Sequence, residues 1–143
     1  MDGPVVLDTS VVIKWFRQGE VLAGQALSLR DAYLEGRIGV SVPSLLAYEL
    51  ANVLRYKNDL TTHQIQEAVQ SLFDVGLEWV LPSGAVMRRA VEMARAYETT
   101  VYDAAFAALA ESLSATFVTA DERLVRRLEA LPFVRFLGEV EDV

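Results

Sequence analysis

Short apolar runs alternate with longer stretches of helical periodicity along this chain. The runs at 4–7, 38–42, 77–81, 116–119 and 134–137 are rich in β-branched and aromatic residues and predict five strands. Between them the spacing predicts helices over 10–16, 20–35, 44–57, 62–75, 84–97, 101–113 and 122–130. The strand runs do not alternate apolar with polar, as expected where helices cover both faces of a sheet. Strand–helix alternation implies right-handed crossovers and a mainly parallel sheet in a three-layer α/β/α sandwich. Sites in such sheets form beyond the carboxyl ends of the strands, where strand order reverses. Asp8 follows the first run and Asp121 follows the run 116–119, so both acids fall at that edge.

Composition narrows the setting. At 143 residues, 52% of them apolar, the chain reads as one domain over 1–143 with a substantial core. No apolar run approaches the roughly 20 residues of a membrane span, and no basic-then-apolar leader opens the chain. Cysteine is absent, which excludes disulfides and thiolate metal sites; a lone histidine, His63, excludes a multi-histidine one. These features predict a cytosolic globular protein. The net charge of −7, from 13 basic and 20 acidic side chains, does not attract nucleic acid as a whole. Any work on RNA or DNA must then rest on a local site.

Four acids sit where the pattern does not ask for them. Asp8 interrupts the greasy run VVLDTSVVI at 5–13. It could cap the following helix, but Thr9 and Ser10 offer the same service. Glu49 lies within the apolar stripe of its helix, among Leu45, Leu46, Leu50 and Val53, where a buried carboxylate requires a partner cation, from arginine or from a metal. Asp103 opens a helix that is apolar almost all round, with Thr100 placed three residues earlier to make a capping box. Asp121 stands inside a second box pattern, Thr119 with Glu122, and so looks surplus to capping. Each acid alone has an ordinary explanation.

Together they converge, two directly after strands and two on helices that must pack beside them. Four carboxylates without a counter-cation repel one another and resist ionisation. A hard divalent ion relieves this, and oxygen-only donors point to Mg²⁺ or Mn²⁺. The matching chemistry is metal-assisted cleavage of a phosphodiester bond.

With the acids placed, the chain resembles a PIN domain, specifically the VapC-type toxin ribonucleases of bacterial and archaeal toxin–antitoxin pairs. The matching pieces are VVLDTSVVIKWF, PSLLAYELANVL, VYDAAFAALAE and FVTADERL, which occur in the family's order across nearly the whole chain. The resemblance implies a five-stranded parallel sheet, an Mg²⁺- or Mn²⁺-dependent endoribonuclease acting on RNA, a homodimer, and inhibition by a cognate antitoxin. It assigns Asp8, Glu49, Asp103 and Asp121 to the acidic, metal-holding centre. Thr119 matches the polar residue two before the last acid, Thr9 or Ser10 the hydroxyl after the first, and Asn52 a polar partner one turn beyond the glutamate. Two rival readings stand beside it. One is a catalytically silent binding module on the same fold. The other, a phosphoacceptor or phosphatase domain built on Asp8, fits poorly because Ser10 occupies the place of the second aspartate such phosphatases use.

Remaining residues carry less. His63 opens a polar helix start and reads as solvated. Lys14, Arg17, Arg123, Arg126 and Arg127 read mostly as solvated faces, with one or two available to steer a phosphate backbone. The helix at 84–97 is expected to bury Val86, Met87, Ala90, Val91, Ala94 and Tyr97. Trp15, Phe16, Trp79 and Tyr56 suit either the core or a dimer surface.

Overall fold

A computed structural model describes residues 3–17 and 19–141, so the outermost ends of the expected 1–143 domain lie outside it. Five strands, β1 (Pro4–Leu7), β2 (Gly39–Pro43), β3 (Glu78–Val80), β4 (Thr116–Thr119) and β5 (Val134–Phe136), form one sheet in the order β3-β2-β1-β4-β5. All four pairings are parallel, with Val6 beside Ser41 on one flank of β1 and Leu7 beside Val118 on the other. Val5, Val6 and Leu7 are sealed from solvent although they point alternately to opposite faces, as a strand covered on both sides requires. This is the expected three-layer α/β/α sandwich.

The chain first winds outward from β1 through β2 to β3, then returns to lay β4 on the other flank of β1. Strand order therefore reverses between β1 and β4, and the crevice above their carboxyl ends is the place for a site.

Among the described residues, seven α-helices connect and cover the strands: α1 (Thr9–Val12), α2 (Ala23–Leu34), α3 (Leu45–Arg55), α4 (Thr62–Asp74), α5 (Gly84–Tyr97), α6 (Val101–Ser112) and α7 (Glu122–Arg127). The central one is α6, buried at every position from 104 to 110 and packed against α5, β1, β2 and β4. Its alanines allow that close approach, and Phe106 stacks on Phe117 of β4 with ring centroids 6.2 Å apart.

Several boundaries depart from expectation. The helix expected over 10–16 is one α turn followed by a 3-10 turn, Ile13–Trp15, where Trp15 Nε1 donates to the Ala26 carbonyl at 2.9 Å. That side chain is buried, so tertiary packing and the β-branched Val11-Val12-Ile13 run stop the helix. The second helix starts only at Ala23, because Leu22 takes a left-handed conformation, φ 65°. The seventh ends at Arg127, three residues early. On α5 the buried positions are Ala90, Met93 and Ala94, whereas Val91 is 50% exposed and Met87 is also open to solvent. Trp79 is half-buried and stacks on Phe73 at 5.0 Å, and Tyr56 is exposed beneath the Arg55 guanidinium. Among the described residues no helix is long and apolar enough to cross a membrane.

Candidate active site

Asp8 is the point at which β1 becomes α1. Its N–H donates to the Val118 carbonyl at 3.0 Å, extending the β1–β4 ladder, while its carbonyl accepts from Val11 and Val12 to begin the helix. The side chain does not cap that helix. It is 6% exposed and accepts on one oxygen, Oδ2, from Ser10 Oγ at 2.7 Å and Thr119 Oγ1 at 2.8 Å. Each hydroxyl has one proton and gives it to Asp8, so the 3.3 Å approach of Ser10 to Thr119 is proximity only. Both then act as acceptors: Ser10 Oγ from the Ala120 N–H at 2.9 Å, Thr119 Oγ1 from the Asp121 N–H at 3.1 Å. The carboxylate and two hydroxyls thus tie the ends of β1 and β4 together, and Oδ1 keeps no side-chain donor among the described residues.

The other acids approach from helices. Thr9 Oγ1 donates to Glu49 Oε1 at 2.7 Å, which links α1 to α3. Thr100 caps α6 by accepting from the Asp103 N–H at 3.0 Å, and Thr99 Oγ1 reaches an Asp103 oxygen at 3.4 Å. Asp121 caps α7, accepting from the Leu124 N–H at 3.1 Å.

All four carboxylates line one open cleft of 380 Å³, together with Thr9, Ser10 and Asn52, and among the described residues no basic side chain lines it. Burial raises the pKa of Asp8, the hydroxyls of Ser10 and Thr119 oppose that rise, and the charge of Asp103 adds to it. Burial likewise raises Glu49, opposed by Thr9 and reinforced by Asp8 and Asp103. Asp103 is raised by burial and then by the charge of Asp121, against the hydroxyls of Thr99 and Thr100. Three of the four acids therefore resist ionising where they stand.

The four acids singled out from the sequence line one cleft, but some of their surroundings differ from expectation. Thr119 and Glu122 make no capping box: the Thr119 hydroxyl is turned across the sheet to Asp8, and Asp121 is the cap. Glu49 is half-buried at the rim of its apolar stripe, where Leu45 is only partly covered and Val53 is exposed, and it pairs with a threonine instead of an arginine. Asn52 borders the cleft from an exposed position and makes no side-chain hydrogen bond among the described residues. Thr99 was missed, and its position four residues before Asp103 was the available signal.

As a donor set, the cleft offers carboxylate, hydroxyl and amide oxygens only, which fits a hard cation. Among the described residues, however, no three acids are gathered closely enough to enclose an ion. An open set of this kind suits Mg²⁺, which keeps several waters and takes one or two carboxylates, better than it suits a Ca²⁺ cage.

The model of the PIN domain matches residues 5–130. No curated protein sequence matches the chain. Among solved structures, the chain is similar to one in a toxin–antitoxin complex from Klebsiella pneumoniae, with 19% identity, coverage of 95% of this chain and 99% of that one, and a TM-score of 0.69. It is similar to a chain of VapBC2 from Rickettsia felis, solved bound to a promoter DNA fragment, at 17% identity, 93% and 96% coverage and a TM-score of 0.67. VapC20 of Mycobacterium tuberculosis, described as a Sarcin-Ricin loop cleaving toxin, aligns at 13% identity over 81% of this chain and 87% of its own, with a TM-score of 0.63. At these identities the structures speak for the fold, and the domain match across 5–130 carries the assignment: this chain belongs to the PIN domain family.

Proposed function

We propose that this protein is a metal-dependent endoribonuclease, the toxin of a type II toxin–antitoxin pair, using Mg²⁺ or Mn²⁺ held by Asp8, Glu49, Asp103 and Asp121. The observation that carries the reading is the convergence of four carboxylates, without a basic neighbour, on one cleft at the strand-order reversal. Bound there, the ion would supply Lewis acidity and counter-charge for a phosphodiester. The chain's own residues set the stage. Ser10 and Thr119 fix the Asp8 rotamer through Oδ2, and Thr9 fixes Glu49. Preset orientation of this kind lowers the reorganisation needed when substrate arrives.

The toxin role and its partners, a cognate antitoxin and a second copy in a homodimer, rest on the family and on the fold shared with chains from toxin–antitoxin complexes. An apolar cleft of 310 Å³ between Leu45, Tyr48, Leu81 and Tyr102 supports association with another chain, since Tyr48, Leu81 and Tyr102 are largely exposed.

The test is cleavage of RNA by the purified chain. Cutting is expected with Mg²⁺ or Mn²⁺ and is expected to cease on adding EDTA; undiminished cutting in EDTA would overturn the metal mechanism. Expressed alone, the chain should slow bacterial growth and Asp8→Ala should relieve the arrest. Equal arrest by both versions would point to aggregation.

A further inference from the structure

An acidic protein that cuts RNA must still hold an anionic strand, and the acid cleft itself contains no cation. We propose that a trough leading away from that cleft, past Arg123 and Arg127 to Arg95 and Arg126, is the track for the phosphates of a single RNA strand. The inference rests on the nuclease reading and extends it by naming the cations that meet the substrate.

Continuity is the first argument. A 480 Å³ hollow shares Asp103 and Asp121 with the acid cleft and adds Arg123 and Arg127 to its wall. A further hollow of 600 Å³ shares Arg123 and Arg127 with that one and adds Arg95 and Arg126. The acids and arginines therefore line one connected groove, with the carboxylates at one end.

Availability is the second. Of the nine basic side chains outside the trough, four are matched to acids: Arg17 with Asp59 at 3.0 Å, Arg30 with Asp31 at 3.2 Å, Arg37 with Glu35 at 2.8 Å, and Arg89 with Glu111 at 2.8 Å; the other five form no ion pair among the described residues. The trough differs in gathering four arginines along one hollow. Among the described residues, Arg95 and Arg123 have no carboxylate within reach. Arg127 donates to the Glu98 carbonyl, which orients the guanidinium without neutralising it. Arg126 has only Glu122, at 4.0 Å and in solvent. The outer hollow is thus lined by four arginines and one acid, Glu98, which leaves a local positive excess there on a molecule of net charge −7.

Placement is the third. Arg123 stands three and four residues before Arg126 and Arg127 on α7, so the three share a side of the helix. The Asp121 cap fixes the start of that helix, so the acid of the site and the arginines of the trough belong to one short rigid piece. Arg95 faces them from the end of α5. A positive groove that follows the backbone, open along its length, is how sequence-tolerant single-strand binders work.

The test is fluorescence anisotropy of a labelled single-stranded RNA of about 12 nucleotides, in EDTA so that no cutting intervenes, as KCl rises from about 50 to 200 mM. Arg95→Gln/Arg123→Gln removes two exposed charges from the trough; Arg30→Gln/Arg37→Gln removes two from outside it. The trough pair is expected to weaken binding about tenfold or more at low salt. It should also lower the slope of log affinity against log salt by about 1.4, or about 0.7 for each single-strand phosphate released. The outside pair should keep the wild-type slope. Wild-type affinity and slope in the trough variant would overturn the proposal, as would normal RNA cutting by that variant with Mg²⁺. Loss of binding to an acidic peptide with RNA binding intact would overturn it in favour of a protein ligand. A wild type that binds through these arginines yet leaves RNA uncut would keep the trough and overturn the nuclease reading alone.

Discussion

Asp8 accepts two hydroxyl protons on one oxygen and is still held above the ordinary carboxylate range, because burial outweighs those hydrogen bonds. The sign of the consequence follows from linkage. A carboxyl raised in the folded state holds its proton longer there than in the unfolded chain, so stability declines as pH climbs from the unfolded value through the folded one. Glu49 and Asp103 are raised in the same direction. Urea midpoints in EDTA should therefore show Asp8→Asn gaining on the wild type as pH rises through that window; a difference that stays flat or reverses would count against the strained acid. Asp121 caps α7. Asp121→Ala should cost about 0.5–2 kcal/mol in thermal melts while Asp121→Asn costs little, and both should lose cleavage. The positions of the four acids were legible as acids in apolar or surplus places. The true cap was not, because a threonine in a capping-box pattern can give its hydroxyl to a distant strand instead, and only the β1–β4 pairing reveals which it does.

Among the elements, α6 does most to hold the site together, since it carries Asp103 while packing on three strands and on α5. Its small side chains set the spacing. Ala107→Leu should destabilise the fold by about 1–3 kcal/mol through overpacking, measurable by urea denaturation, and should also shift Asp103 and reduce cleavage. A substitution accepted without loss would mean the helix has slack that the burial of positions 104–110 argues against. The type and order of every strand and long helix could be read from apolar runs and periodicity, because local pattern and tertiary burial agree there. Local pattern failed where packing or a backbone turn took over: at Trp15, whose indole anchors to Ala26, and at Leu22, whose left-handed turn no propensity announces. On α5 the apolar stripe was read too broadly, since Val91 belongs to the surface.

At the scale of the whole molecule, the fold separates charge that the sequence sums. Carboxylates gather above β1 and β4, and four arginines line the groove that leads away. A net charge of −7 therefore says little about what the groove can hold. The central claim is that the four-carboxylate cleft is a cation centre, and thermal melting with and without Mg²⁺ tests it most directly. Wild-type protein should melt several degrees higher with Mg²⁺ at ten times its Kd, equivalent to about 1.4 kcal/mol, and Asp8→Asn should gain much less. Equal gains by both proteins, or none by the wild type at any Mg²⁺ concentration, would contradict the account.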